Sequence, residues 1–457
     1  MEEPYLAMRR EYLMPGCSLE VFRVICSRYI VFPSTEGQFF DYRSLRAFHR
    51  TLSIMTSTVV PILFIQILLS IVVTTTLAGP ITITRETFRT CRPGTWGGIP
   101  SDCCPPKLIK GPIVDFCPTF DASKPLRVRK ALQCLSGHEL ETYTRKLERG
   151  YALMRALPDS DPRSFKRQNA IHCAYGTGSF VQDGSTNLTI DIHLNWLFLP
   201  WHRMFVYFHE RILQKLLGDP EFSLHFWNFD NSVTATPRHG SRGCYFKAGH
   251  FVPPMYNDPS KATFEANRSF MTFEPNRPVD IALDLSQLNP LLGPPIFPNN
   301  TVEEQTRMNR EIMHRSMITL ANTTNFIGKA YRVGDARIVN PAAGAGTIEL
   351  WPHITLHTYI GGWMLQPITA PIDPIFYPFH ANMERLWSVW RKLGYGNDDP
   401  TDPDWLDATF LFWDENAVMR RVKVRDFLDL NALGYRYEEV NDASWIFFDN
   451  STSSSAP

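Results

Sequence analysis

"HLNWLFLPWHRMFVYFHERIL", His193 to Leu213, decides how the chain is read, because it sets three histidines among apolar and aromatic residues. The question is which of them pack and which could ligate a metal. His202 and His209 would share a helical face, yet two full turns at 1.5 Å per residue separate them by about 10 Å. Imidazole nitrogens sit about 2 Å from a bound ion, so this pair cannot readily share one. His193 and His202 would point to opposite sides of a straight helix, but Pro200 between them permits a break and a turn. On spacing alone, a ligand pair and packed core histidines stay equally open.

"WPHITLH", Trp351 to His357, is the sharper local pattern. His353 and His357 stand at i and i+4, a spacing that lets two imidazoles meet one ion on one helical face. Ile354 follows His353, so the general base of an HExxH zinc-protease helix is missing. Alone, such a pair is more often coincidence than site.

The setting is a chain of 457 residues with 44% hydrophobic and 20% charged residues and a formal net charge of zero. That composition belongs to a folded protein with a sizeable core. No basic run stands out, which argues against nucleic-acid binding. Thr56 to Ala78 carries no charge, is long enough to span a bilayer, and ends in small residues. A cleaved signal, an uncleaved anchor and the apolar part of a plastid-lumen address are all compatible with it. Cysteines crowd at Cys91, Cys103, Cys104 and Cys117, with Cys134, Cys173 and Cys244 beyond, and no CxxC is present. They read as disulfides in an oxidising compartment. With sequons beginning at Asn187, Asn267, Asn299, Asn322 and Asn450, they favour the secretory route (vacuole, extracellular space or membrane anchor), the thylakoid lumen being the alternative.

Residues 1–84 are expected to be targeting sequence with its apolar segment at about 56–78, and residues 85–120 a Pro/Cys-rich wrap. Ser136 with Glu139, and Thr301 with Glu304, have the spacing of capping boxes. Helices are predicted towards Leu157, over "SFKRQNAIHCAY", from near Pro200 to about Leu217, and over "IELWPHITLHTYIGG" and "HANMERLWSVWRKLG". From Pro400 the texture turns strand-like around a polar turn, and the last ten residues read as a disordered tail.

"NAIHCAY", "IHLNWLFLPWHRMF", "GTIELWPHITLH" and "DPIFYPFHANMERLW" together resemble the two copper-binding regions of the type 3 copper phenol oxidases, in the plant polyphenol oxidase branch (tyrosinases and catechol oxidases). "DPDWLDATFLFWDENAVMRRVKVRDFLD" resembles the DWL region that follows their catalytic domain. The resemblance runs from about Cys91 to Val440 with its motifs in order. It implies a mainly α fold: a tyrosinase-like catalytic domain over 85–395, with a central four-helix bundle holding a dinuclear copper site and a loop-rich periphery. A small β-rich extension over 396–447 and a tail over 448–457 follow.

The first copper would be held by His172, His193 and His202, the second by His353, His357 and His380, while His209 falls where relatives commonly carry an aromatic residue. Cys91–Cys104 and Cys103–Cys173 would be the disulfides. Glu349 matches the glutamate that holds a water near the substrate phenol, a candidate catalytic residue. Its usual Asn partner is replaced by Ile354, an activity-tuning position, which favours diphenol oxidation over monophenol hydroxylation. Gly176 replaces the cysteine that tethers the middle ligand of the first copper, Phe379 replaces a first histidine of a pair, and "GGWMLQPITAPI" offers no clear aromatic gate. A C-terminal shielding domain is not expected.

The implied activity is oxidation of ortho-diphenols to ortho-quinones with two copper ions and dioxygen as co-substrate. The implied partner is a small phenol, with a membrane contacted only through the N-terminal segment if that is uncleaved. A dioxygen carrier of the haemocyanin type and a metal-poor, membrane-anchored, non-catalytic homologue are the rival readings.

Overall fold

The run Phe198–Leu217 is apolar on almost every side, and a helix of that character belongs at the centre of a domain. In the computed structural model it is buried without interruption from Phe198 to Glu210. The described residues are 79–96, 99–101, 104, 111–183, 189–232, 248–284, 299–335, 343–440 and 444–448. The chain divides into two compact units, Met1–Thr76 and Leu77–Pro457. The first unit, the apolar run 56–78 and the tail from 449 lie outside the described residues. Among the described residues no helix is long and apolar enough to cross a membrane.

The second unit is mainly helical. Its principal helices are α1 (Gly137–Ala156), α2 (Phe165–Gly176), α3 (Phe198–Leu217), α4 (Val302–His314), α5 (Thr355–Ile360) and α6 (Phe376–Lys392). Helix α3 packs against both α1 and α6, and α2, α3, α5 and α6 form the central four-helix group that carries the histidines. Gly218, left-handed at φ 64°, ends α3 by donating to the carbonyls of Gln214 and Lys215, as a glycine C-cap does.

Several local expectations need correction. Pro200 does not break the helix: it sits in the first turn of α3, where its missing N–H has no intrahelical acceptor to lose. The turn after His193 comes from Leu194 at φ 62° and from Asn195, whose side chain accepts from Leu197 N at 2.9 Å and donates to His193 O at 2.8 Å. Ser136 is the N-cap of α1 but makes no side-chain cap bond, and the Glu139 side chain pairs with Lys130 rather than reaching back to it. The box at Thr301 and Glu304 forms as expected. "IELWPHITLHTYIGG" is not one regular helix: a wide turn over Glu349–Ile354, with Trp351 extended at φ −133° and ψ 122°, leads into α5.

The strand-like region forms a hairpin of β3 (Thr409–Trp413) and β4 (Met419–Lys423). Every residue of β3 is buried, since Phe412 stacks on Phe208 of α3 at 5.4 Å and Phe410 meets Tyr175 of α2 at 5.8 Å. Early strands join the late ones in parallel: β1 (Ile113–Asp115) pairs with β4, and β2 (Arg127–Arg129) pairs with β5 (Tyr435–Tyr437). Beneath that second pair lies a buried ionic network. Arg129 donates to Glu210 of α3 and to Glu384 of α6, both at 2.9 Å, and lies 3.9 Å from the Tyr435 ring centre. Glu384 also meets Arg203 of α3 at 3.1 Å and accepts from Tyr435.

Cys104 bonds Cys173 with its Cα atoms 5.7 Å apart, a separation a disulfide spans without backbone movement. This replaces the expected Cys91–Cys104 and Cys103–Cys173 pairs; with adjacent cysteines, a shift of one residue exchanges the partners. Cys91, Cys117 and Cys134 are also disulfide-bonded, and Cys103 lies outside the described residues.

Candidate metal centre

Four helices, one loop and one turn bring the six histidines together as two sets. His172 comes from α2, His193 from the loop before α3, and His202 from the first turns of α3. His353 ends the wide turn, His357 lies in α5, and His380 lies in α6. Within each set one nitrogen per ring lies within 4.8 Å of the others. His172 Nε2 is 3.2 Å from His202 Nε2, and His357 Nε2 is 3.4 Å from His380 Nε2. Nitrogens sharing an ion at about 2 Å each stand roughly 3.3 Å apart at near-tetrahedral angles, so both spacings suit metal ligation.

Main-chain carbonyls aim three of these rings. His172 Nδ1 donates to Pro367 O at 2.6 Å, His202 Nδ1 to Phe198 O at 2.8 Å, and His357 Nδ1 to Met364 O at 2.6 Å. A carbonyl only accepts, so each Nδ1 carries the hydrogen and the lone pair of a neutral ring is left on Nε2. His353 has no hydrogen-bond partner on either buried nitrogen, and His380 has none on Nδ1. Buried nitrogens of this kind are costly unless something occupies them. Burial pushes His172, His202, His353 and His380 well below the usual imidazole range, and His357 down to about 3. The rings are therefore neutral at physiological pH, the form that ligates.

His202 and His380 stack in parallel, 4.3 Å apart and inclined by 7°, which sets the two groups of histidines face to face. Phe198, one turn before His202, packs 4.4 Å from His353 and 4.7 Å from His202. Phe379 lies parallel to His353 at 5.6 Å and edge-on to His357 at 5.0 Å, so its phenyl ring packs against two of the second set's imidazoles. Sequence reading missed Phe198, although its i−4 spacing from His202 is a helical signal. It could not have found the carbonyls of Met364 and Pro367, which no side chain advertises.

His209 is excluded, as its distance along the helix requires. It lies flat on Tyr377 at 3.5 Å, and its Nε2 is 3.3 Å from the Tyr151 hydroxyl. Gly176 lies against the ring of His193. A Cβ there would stand 2.7 Å from His193 Cε1 and 3.3 Å from Pro367 Cβ.

The histidines open onto a cavity of about 70 Å³ lined by His172, His193, Glu349, Ile354, Thr358 and Leu365, among others. Glu349 is fully buried. One carboxylate oxygen accepts from Leu194 N at 2.5 Å, which braces the His193 loop, and the other has no hydrogen-bond partner. Burial, reinforced by Asp191, raises this carboxyl well above the usual range. A larger cavity of about 800 Å³, bordered by Trp227 and Gln133, contains neither histidine set.

Residues 162–393 match the family described as the common central domain of tyrosinase, and residues 399–450 match the polyphenol oxidase middle domain. The chain is 39% identical over 359 residues to aureusidin synthase of Antirrhinum majus, covering 77% of this chain and 58% of that protein. It is 38% identical over 360 residues to a chloroplastic polyphenol oxidase of Malus domestica, covering 77% of this chain and 54% of that one. The chain thus spans little more than half the length of these relatives. Grenache (Vitis vinifera) polyphenol oxidase superposes with a TM-score of 0.68 at 34% identity, over 80% of this chain and 99% of that one. Latent apple tyrosinase gives 0.63 at 37%, over 74% and 67%.

Proposed function

This chain belongs to the tyrosinase family, its central domain followed by a polyphenol oxidase middle domain, and from that premise we propose that it oxidises ortho-diphenols to ortho-quinones. Two diphenols would reduce one dioxygen to two waters. The observation that carries the reading is the pair of facing, buried three-histidine sets opening onto one small cavity. Neutral all-imidazole sites favour copper among the divalent first-row metals, and the buried nitrogens without partners at His353 fit such an ion. His172, His193 and His202 would hold one copper, and His353, His357 and His380 the other. When bound, the pair supplies the redox chemistry towards dioxygen.

The protein's own groups account for the rest. The carbonyls of Pro367, Phe198 and Met364 keep three of the imidazoles, His172, His202 and His357, in the ligating tautomer. Ile354, Thr358 and Leu365 give the cavity apolar contact for a phenol ring. Glu349 has one carboxylate oxygen engaged by Leu194 N, and Ile354 has no polar group to keep a water beside the other. Both features support diphenol oxidation over hydroxylation.

Nothing favours a haemocyanin-like carrier, and the convergence of the histidines speaks against a metal-poor homologue. Relatives from Malus domestica, Prunus armeniaca and Vitis vinifera are described as chloroplastic. They support the plastid alternative for residues 1–84, and none supports the secretory route. Oxygen uptake by copper-loaded protein tests the activity. A catechol should be turned over at once and its monophenol only slowly after a lag; no uptake with any catechol would reject the reading.

A further inference from the structure

One short segment reaches both sets of histidines. Met364 O accepts from His357, and Pro367 O accepts from His172, each at 2.6 Å. Between these two carbonyls lie only Leu365 and Gln366. Pro367 also borders Gly176, and the ring of His193 packs over the same spot. The segment therefore hydrogen-bonds two of the six rings, one from each set, and its last residue lies beside the glycine that the ring of His193 also covers.

Its ends are fixed by a single neighbouring stretch, residues 267–269. Ser269 N donates to Ile360 O at 2.7 Å where the segment begins. Gly362 follows at φ 55°, so close to Asn267 that a Cβ would fall 1.6 Å from the Asn267 carbonyl oxygen. Six residues beyond Pro367, Arg268 clamps Asp373 with two hydrogen bonds of 2.7 Å, and both side chains are fully buried. Thr369 closes the turn from within, its hydroxyl donating to Trp363 O at 2.8 Å.

We propose that Met364–Pro367 is a shared positioning strap that aims one ligand of each histidine set, so that loosening it weakens metal retention in both sets together. The proposal rests on the copper reading above. An independent arrangement would use separate second contacts for each ion, and a disturbance at one would leave the other intact. Here Thr369 and Arg268 are positioning residues: they touch neither ion nor substrate and act through the two carbonyls. Groups that orient metal-binding imidazoles typically alter affinity 10–100-fold when removed, and Thr369 stands one step further out, at the lower end of that range.

The test uses the full chain with one set disabled at a time. His202→Ala leaves the second set as the better copper site, and His380→Ala leaves the first. Copper(II) affinity is measured by chelator competition in each background, with and without Thr369→Val. The expected result is a loss of about tenfold in both backgrounds. Thr369→Ser, which keeps the hydroxyl, should restore affinity to within about twofold. Arg268→Lys, which keeps the charge but not the paired contact, should likewise weaken both. A loss confined to one background, no loss in either, or failure of serine to rescue would overturn the strap. A parent chain that binds no copper in either set would instead overturn the copper reading itself, and the strap with it.

Discussion

Gly176 shows how much one missing side chain determines at this centre. The ring of His193 and the edge of Pro367 occupy the space a Cβ would need. Gly176→Ala should therefore displace one of them. Overpacking of this kind costs about 1–3 kcal/mol, so the metal-free protein should melt lower and the first set should retain less copper. Thermal melting and copper per chain, measured on the same preparation, check both halves. At this scale the sequence was informative where chemistry resides in side chains. Four motifs marked all six histidines, and helical spacing removed His209. It was silent where chemistry resides in the main chain, as with the carbonyls of Phe198, Met364 and Pro367. It also did not reveal that Glu349 spends one oxygen on Leu194 N, because the contact crosses between distant parts of the chain.

Among the elements, α3 and α6 matter most, since they carry His202 and His380 and are joined beneath them by Arg203 and Glu384. Arg129 of β2 links Glu210 and Glu384 from outside the bundle, with no exposure to solvent. Removing one partner of such a network leaves buried charge uncompensated and costs about 3–5 kcal/mol. Arg129→Leu should lower stability by that amount in denaturant unfolding, whereas Arg307→Ala, from the exposed pair with Glu311, should change it by less than about 0.5 kcal/mol. Helix positions were legible because apolar periodicity and the Thr301 box are local. The bend at His193 was attributed to Pro200, a local signal too, but a proline in the first turn is compatible with the helix. The responsible residues were Leu194 and Asn195, whose conformation is not written in their type. Strand alternation failed for β3 because both of its faces are buried, not only the one that Phe410 and Phe412 turn to α2 and α3.

For the molecule as a whole, buried neutral imidazoles make stability depend on pH. His250 is fully buried, its Nδ1 meets Asn231 O at 2.9 Å, and burial holds its pKa down at about 4. Unfolded, it would protonate near pH 6.5, so below that value the unfolded chain binds a proton the fold refuses. Its contribution is present in full above about pH 6.5 and is lost as pH falls towards 4, at about 1.4 kcal/mol per pH unit. The parent protein should lose stability over that window, and His250→Gln should flatten the slope by one proton. Chemical denaturation at pH 7, 6 and 5 reads this directly.

The parallel pairings of β1 with β4 and of β2 with β5 have a consequence during synthesis. Ile113 pairs with Met419, and Arg127 with Tyr435, so strands made early must wait for partners made near the other end of the described fold. At translation speeds of about 5–20 residues per second, that wait is on the order of 15–60 s. During it, the helices bearing the histidines are made one after another but cannot be closed over by their sheets. Such long-range closure slows folding, and the nascent chain must be kept from aggregating until its last strands arrive.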